Sequence, residues 1–155
     1  MENLELGRFY RGKRVFVTGH TGFKGSWLCR ILLQLGAEVT GYALAPEGKN
    51  LFELTGVEKE MRSLTDIRSH SDLQAAYDMA RPDVVLHLAA QPLVQEGFRT
   101  PRYTYEVNVL GTVNLLECLR GEDLTVSFVN VTTDKVYSNR EWCWGYRESD
   151  TLDGH

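Results

Sequence analysis

The chain is poor in cysteine and proline, with three and four among its 155 residues. Cys29, Cys118 and Cys143 are odd in number and widely spaced, with neither a C-x-x-C pair nor a Cys/His ligand spacing. That speaks against a disulfide framework and a structural metal site, and it fits a reducing compartment. No apolar run approaches the ~18 residues that span a bilayer, and the opening MENLELGRFYRGKR has no apolar signal-peptide core. The expectation is a soluble, cytoplasmic protein with no membrane partner. Neither sign of charge dominates: 17 basic against 21 acidic side chains give a formal net charge of −4, and the basic ones are scattered. Without a cationic stripe to neutralise a phosphate backbone, no nucleic-acid partner is expected. Low-complexity tracts and internal repeats are missing too, and 43% apolar residues suffice for the core of one domain.

What is present is an alternation of short apolar runs and amphipathic stretches. After a polar lead, Arg14–Thr18 (RVFVT) reads as a buried strand, followed by a glycine-rich turn. Phe23, Trp27, Leu28, Ile31, Leu32 and Leu35 then recur at three-and-four spacing, predicting a helix whose apolar face they form and which Gly36 ends. Glu38–Ala43 predicts a second strand, and 46–60 a connecting loop with one helical turn at LFEL. Met61–Leu64 predicts a short third strand, and Ser71–Arg81 a helix stopped before Pro82. Asp83–Leu88 (DVVLHL) is apolar and β-branched at its start, as a parallel strand covered on both faces should be. A long helix over about Pro101–Arg120 follows, with Val109, Val113, Leu116 and Leu119 on one face and Gly121 at its end; Thr125–Val131 is the last strand. Strands alternating with helices imply right-handed crossovers and a doubly wound α/β fold on a parallel sheet. Such a sheet ending at Val131 has an uncovered apolar edge, so the chain is expected to stop short of its last strands and to self-associate in isolation.

The turn after the first strand reads TGHTGFKG, with Gly19, Gly22 and Gly25 three apart. Glycine permits the tight turn and lets the backbone approach a pyrophosphate, while the free N–H groups and positive dipole end of the helix stabilise the anion. The glycines alone are compatible with a merely tight turn; strand, turn and amphipathic helix together point to a dinucleotide. Lys24 either reaches a phosphate or stays solvated on the helix's outer face, and His20 stands where it would crowd the adenosine side. The end of the second strand, GYALAP, offers neither an acid for a ribose 2′-hydroxyl nor an arginine for a 2′-phosphate. These residues therefore leave NAD and NADP undistinguished.

The G-x-x-G-x-x-G spacing resembles that of the extended short-chain dehydrogenase/reductase superfamily. The resemblance implies a Rossmann-type NAD-binding domain over residues 1–155, incomplete at its C-terminal end, and homodimerisation through the long helix. It assigns cofactor contacts to Gly19, Thr21, Gly22, Phe23, Lys24 and Gly25. Asp66 and Ile67 resemble the acid–hydrophobe pair that contacts adenine. Leu88, Ala89, Ala90 and Gln91 resemble the segment along the nicotinamide ribose, and Asn108-Val-Leu-Gly-Thr112 the N-V-x-G-T of the long helix.

Beyond the last strand stands TTDKVY, Thr132–Tyr137, then NREWCWGYRE. Read by itself, the second segment is a partly exposed aromatic patch that either anchors to further chain or stacks on a base. Thr-Thr-Asp, an ionisable residue and Val-Tyr resemble the signature of sugar-nucleotide 4,6-dehydratases. The lysine form, with GHTGFKGSW, LAAQPLV and EWCWGYRE, resembles the CDP-glucose 4,6-dehydratase family. That implies a redox-neutral conversion of CDP-glucose to a 4-keto-6-deoxy sugar, by oxidation at C4, loss of the C5 proton and the C6 hydroxyl, and hydride return to C6. By position Thr133 would hydrogen-bond the C4 oxygen, Asp134 would act as general acid, and Lys135 would stand where the C5 base usually is. An ammonium beside Asp134 favours the carboxylate and makes it a poorer acid, so Lys135 is expected to be partly neutralised by burial. The alternative for the pair is a salt bridge closing the strand end. Both side chains reach one site only if the strand has ended before them. No tyrosine here has lysine four residues on, whereas the superfamily uses a Tyr-x-x-x-Lys pair, so this stretch alone is expected to be inactive. Another dehydratase or epimerase of the superfamily, and a non-catalytic dinucleotide-binding regulator, are the competing readings.

Overall fold

Short β-branched runs set the sheet. The computed structural model describes residues 2–59, 61, 65–120, 127–133 and 135–153. Strands β1 (Arg14–Thr18), β2 (Glu38–Tyr42), β3 (Val84–His87) and β4 (Ser127–Asn130) form one sheet in the order β2-β1-β3-β4, with every pair parallel. Period-two alternation sends Val15, Val17, Val84 and Leu86 to one face and Phe16 and Val85 to the other, giving two cores. The first is closed by α2 (Phe23–Gln34), α3 (Leu51–Leu54) and a 3₁₀ turn (Val57–Lys59). The second is closed by α4 (His70–Ala80) and by a run made of α6 (Pro101–Tyr105), a π-helical turn (Glu106–Leu110) and α7 (Gly111–Arg120). This is the expected doubly wound sheet. Because β2 and β3 flank β1 on opposite sides, the crossovers diverge there and open a crevice at the carboxyl ends of β1 and β3.

Several expectations need correction. The polar lead is helical: α1 runs Glu2–Tyr10, its Tyr10 packs against the first core, and Gly12 at φ +72° turns the chain into β1. A further short helix, α5 (Val94–Arg99), precedes the long one. On α2 the expected apolar face holds only in part: Leu32 is buried and Leu28 packs against the first core, but Phe23, Trp27 and Ile31 are 72%, 49% and 49% exposed, and Gly25, Ser26 and Cys29 face inward. Likewise, of the expected face of the long helix Leu119 packs against the second core, but Val109, Val113 and Leu116 are half-exposed, while Val107, Gly111, Leu115 and Cys118 are buried. One cause serves both. A Cβ on Gly25 would lie 2.2 Å from the Gly19 carbonyl oxygen, and one on Gly111 would lie 2.7 Å from Ile67 Cγ2. At these two points the backbone approach is so close that glycine must face inward, and that choice fixes which side of each helix is buried.

The predicted helix stop before Pro82 and the helical turn at LFEL hold. Arg81 caps α4 in the left-handed region ahead of Pro82, and Leu51–Leu54 is helical with Asn50 accepting the Glu53 N–H. The proposed strand residues 62–64, Gly121 and residues 125–126 lie outside the described residues. Strand β4 pairs with β3 and is exposed along its other edge among the described residues.

Candidate functional site

The glycine turn lies between β1 and α2. Gly19 sits at φ +73°, where a Cβ would also come within 2.7 Å of the Ala89 nitrogen, so both conformation and space demand glycine. Its N–H donates to the Tyr42 carbonyl at 2.9 Å, and Thr21 Oγ1 donates to the Leu44 carbonyl at 2.9 Å, tying the turn to the end of β2. Gly22 caps α2 without a side chain, and Ser26 N–H is bonded to its carbonyl. By helix geometry the N–H groups of Phe23, Lys24 and Gly25 lack intrahelical partners and point out of the helix end. A backbone cradle stripped of side chains and lined with such donors fits a pyrophosphate.

The cradle opens into two joined clefts. The smaller, about 500 Å³, is lined by Gly19, Thr21, Gly22, Phe23, Lys24 and Gly25 on one side and by Asp66, Ile67, Leu88, Ala89 and Ala90 on the other. The larger, about 1060 Å³, shares Lys24 and 88–90 and adds Gln91, Asn108, Thr133 and Lys135. Every expected site residue that is described therefore borders one groove; Asp134 lies outside the described residues. Lys24 is exposed and borders both clefts.

Individual placements refine the assignments. The Asp66 carboxylate takes the forked Arg68 guanidinium at 2.6–3.1 Å and the Arg68 backbone N–H at 2.9 Å, which holds it below the usual carboxylate range. Arg68 also reaches Glu106 at 3.3 Å and lies 4.9 Å over the Tyr103 ring, clamping the 66–68 loop to the long helix. Asn108 spends its amide on the cleft wall, accepting the Gln91 N–H at 2.7 Å and donating to the Gln91 carbonyl at 3.1 Å. His20 does not crowd the adenosine side: it is fully buried, edge-on to Phe52 at 5.2 Å between centroids, and its ring fills the space over Gly41. Burial lowers its pKa to about 4, with the Tyr42 backbone offsetting part of the effect.

At the far end, β4 stops at Asn130, so the strand does end before the Thr-Thr-Asp-Lys segment. Thr132 turns the chain at φ +48°, a strained conformation for a β-branched residue, and the Thr133 hydroxyl accepts the Lys135 N–H at 3.2 Å. Lys135 is exposed on this turn, so the burial expected to neutralise it is not there. The aromatic segment beyond packs on itself: Tyr137 and Tyr146 stack at 5.1 Å and 4°, and Trp142 leans on Tyr146 at 5.7 Å. A Tyr137–Leu152 bridge closes that loop. Sequence reasoning gave no role to Thr18 and His87, polar groups inside apolar strands, nor any of its own to Thr112 within the N-V-x-G-T segment; His87 is buried and its pKa is pushed down to about 4. The signal was there, as the histidine in DVVLHL and the threonine ending RVFVT. Among the described residues no cluster of three His, Cys, Asp or Glu is placed to hold a metal, and no helix is long and apolar enough to cross a membrane.

Comparison with known proteins agrees with this geometry. The family model described as GDP-mannose 4,6 dehydratase matches residues 16–153. CDP-glucose 4,6-dehydratase of Salmonella typhimurium is 49% identical over 149 residues, which are 95% of this chain and 42% of that protein. Among solved structures, UDP-glucose-4-epimerase from Stenotrophomonas maltophila with bound NAD superposes with a TM-score of 0.73 at 26% identity, covering 91% of this chain and 43% of that one. The Thermus thermophilus UDP-glucose 4-epimerase complex with NAD gives a TM-score of 0.60 at 36% identity, covering 68% and 33%. The chain thus spans less than half the length of these relatives. With the matched region running from β1 through the aromatic loop, the chain belongs to the GDP-mannose 4,6 dehydratase family.

Proposed function

We propose that these 155 residues are the dinucleotide-binding domain of an NAD-dependent sugar-nucleotide 4,6-dehydratase acting on CDP-glucose. The observation that carries the reading is the single groove running from the glycine cradle to the Thr-Thr-Asp-Lys segment. NAD, when bound, supplies a hydride acceptor that later returns the hydride, making the dehydration redox-neutral. The chain's own residues bind and orient. Backbone N–H groups of 23–25 and the Lys24 ammonium hold the pyrophosphate, and Ile67 with the Arg68-clamped loop borders the adenine end. Backbone 88–91 borders the ribose. In this reading Thr133 donates to the C4 oxygen of the hexose, its hydroxyl oriented by the Lys135 amide. Asp134 protonates the departing C6 hydroxyl, and Lys135, solvent-exposed, steadies the developing oxyanion at C4. The half-exposed line Val109–Val113–Leu116 supports a homodimer packed along the long helix.

A second reading is favoured by the family model itself: a GDP-hexose as substrate. The test is to incubate the full-length protein with NAD and, in turn, CDP-glucose, GDP-mannose and dTDP-glucose, following a 4-keto product one water lighter. Turnover of CDP-glucose alone is expected; preference for GDP-mannose would establish the second reading, and no product from any of them would refute the dehydratase assignment.

A further inference from the structure

A line of polar groups crosses beneath the cleft from β1 to α7. Thr18, fully buried, accepts the backbone N–H of Leu88 at 3.2 Å and of Ala89 at 3.1 Å on its Oγ1. Because the Leu88 N–H is shared with the Thr18 carbonyl at 3.1 Å, the Oγ1 has room either to donate to His87 Nδ1 at 2.6 Å or to accept from it. On the far side of the ring, Thr112 donates its proton to the Asn108 carbonyl, one helical turn earlier, at 2.8 Å. Thr112 can therefore only accept from His87 Nε2, at 3.0 Å, so that nitrogen carries the hydrogen. The Thr112 end sets the tautomer, and in the neutral ring the bare Nδ1 then accepts the Thr18 hydroxyl proton. Burial agrees with neutrality, since it pushes the ring's pKa down to about 4.

A histidine on an apolar strand is usually no more than a satisfied core residue. Here its two partners each hold something that borders the groove. Thr18 grips the backbone at 88 and 89, while Thr112 sits one turn from Asn108, whose amide grips the backbone at 91 from both sides. His87 is the piece that joins these two grips across the sheet–helix gap. We propose that His87, as the neutral Nε2–H tautomer, is a positioning residue: it locks β1 to the long helix and so presents backbone 88–91 to the dinucleotide. The cofactor half of this inference rests on the dinucleotide reading of the groove.

The tautomer is tested first, by ¹⁵N-histidine NMR of the full-length protein near neutral pH, with His87 assigned through its bonds to the backbone. A protonated Nε2 and a bare Nδ1 are expected; the opposite tautomer or an imidazolium would overturn the proposal whatever the groove binds. Calorimetry with NAD then compares the wild type with His87→Leu and His87→Gln. Leucine removes both bonds, and NAD binding should weaken about tenfold, as for loss of a buried network's alignment. Glutamine keeps a donor at the Nε2 position toward Thr112 and should recover part of that loss. Wild-type affinity in a folded Leu variant, or no recovery with Gln, would overturn the positioning role. Should the Leu variant fail to fold, the Gln comparison and the NMR still decide. A wild-type protein that binds no NAD would overturn the reading of the groove and the cofactor half of this inference, leaving the tautomer to be judged by NMR alone.

Discussion

His20 and His87 occupy two different kinds of buried site, one against an aromatic ring and one between two threonines. In both, burial lowers the pKa to about 4, below the ordinary 6.5. The unfolded chain therefore binds more protons than the folded one between those values, and stability falls as the pH drops from 6.5 toward 4. Each ring contributes on the order of 3 kcal/mol across that window. Carboxylates held low by arginine, Asp66 and Asp83 among them, lose their share only below the ordinary carboxylate range. The urea midpoint, measured from pH 7.5 to 4.5, should decline with the slope of about two proton-linked groups, and His87→Gln should remove about one of them. A flat profile would mean that the rings are not buried neutral. Residue chemistry of this kind was half legible: the glycines, Lys24 and Thr133 announced themselves by motif. By contrast, the occupation of Asp66 by Arg68 depends on a loop geometry that motif spacing does not encode.

At the level of elements, the two helices that flank the groove follow one rule. Each carries two apolar lines, only one of which includes a glycine, and the periodicity of the sequence shows both without ranking them. On α2 the lines lie two residues apart, about 200° around the axis, so choosing one exposes the other. Close approach decides: Gly25 against Gly19 and Gly111 against Ile67 pull the glycine-bearing lines inward. The π-helical turn at Glu106–Leu110 lies where Asn108 engages Gln91, and such turns often mark functional segments. The outward bulky line on the long helix then has a checkable use. In the full-length protein, Val113→Asp should dissociate the proposed dimer in sedimentation velocity with circular dichroism unchanged, because the site is half-exposed. Leu115→Asp, fully buried, should instead abolish folding, since an unpaired carboxylate there costs several kcal/mol. Equal effects of the two substitutions would reject the division into an outer and an inner line.

For the whole molecule, the order β2-β1-β3-β4 puts the switch in winding direction beside β1, and the groove follows from that topology. It also leaves β4 with an exposed outer edge and half-exposed Val129 and Val131 among the described residues. Unpaired apolar strands template association. The 155-residue chain should thus show concentration-dependent self-association in light scattering, and Val129→Lys should suppress it. A monodisperse monomer of the unmutated chain at high concentration would contradict the open edge.

What the amino-acid sequence determined alone is the alternation of strands and helices and the cradle at Gly19–Gly25, while the other residues of the groove were legible only through a family resemblance. The alternation and the cradle are local: a turn that needs glycine and a strand that needs β-branched residues declare themselves within a few positions. What only the tertiary structure decided is which helix faces turn inward, which carboxylates are already paired, and which tautomer His87 adopts. Those depend on distances between segments some twenty to seventy positions apart in the chain, as Thr18 from His87 and His87 from Thr112, and no local pattern sets such distances.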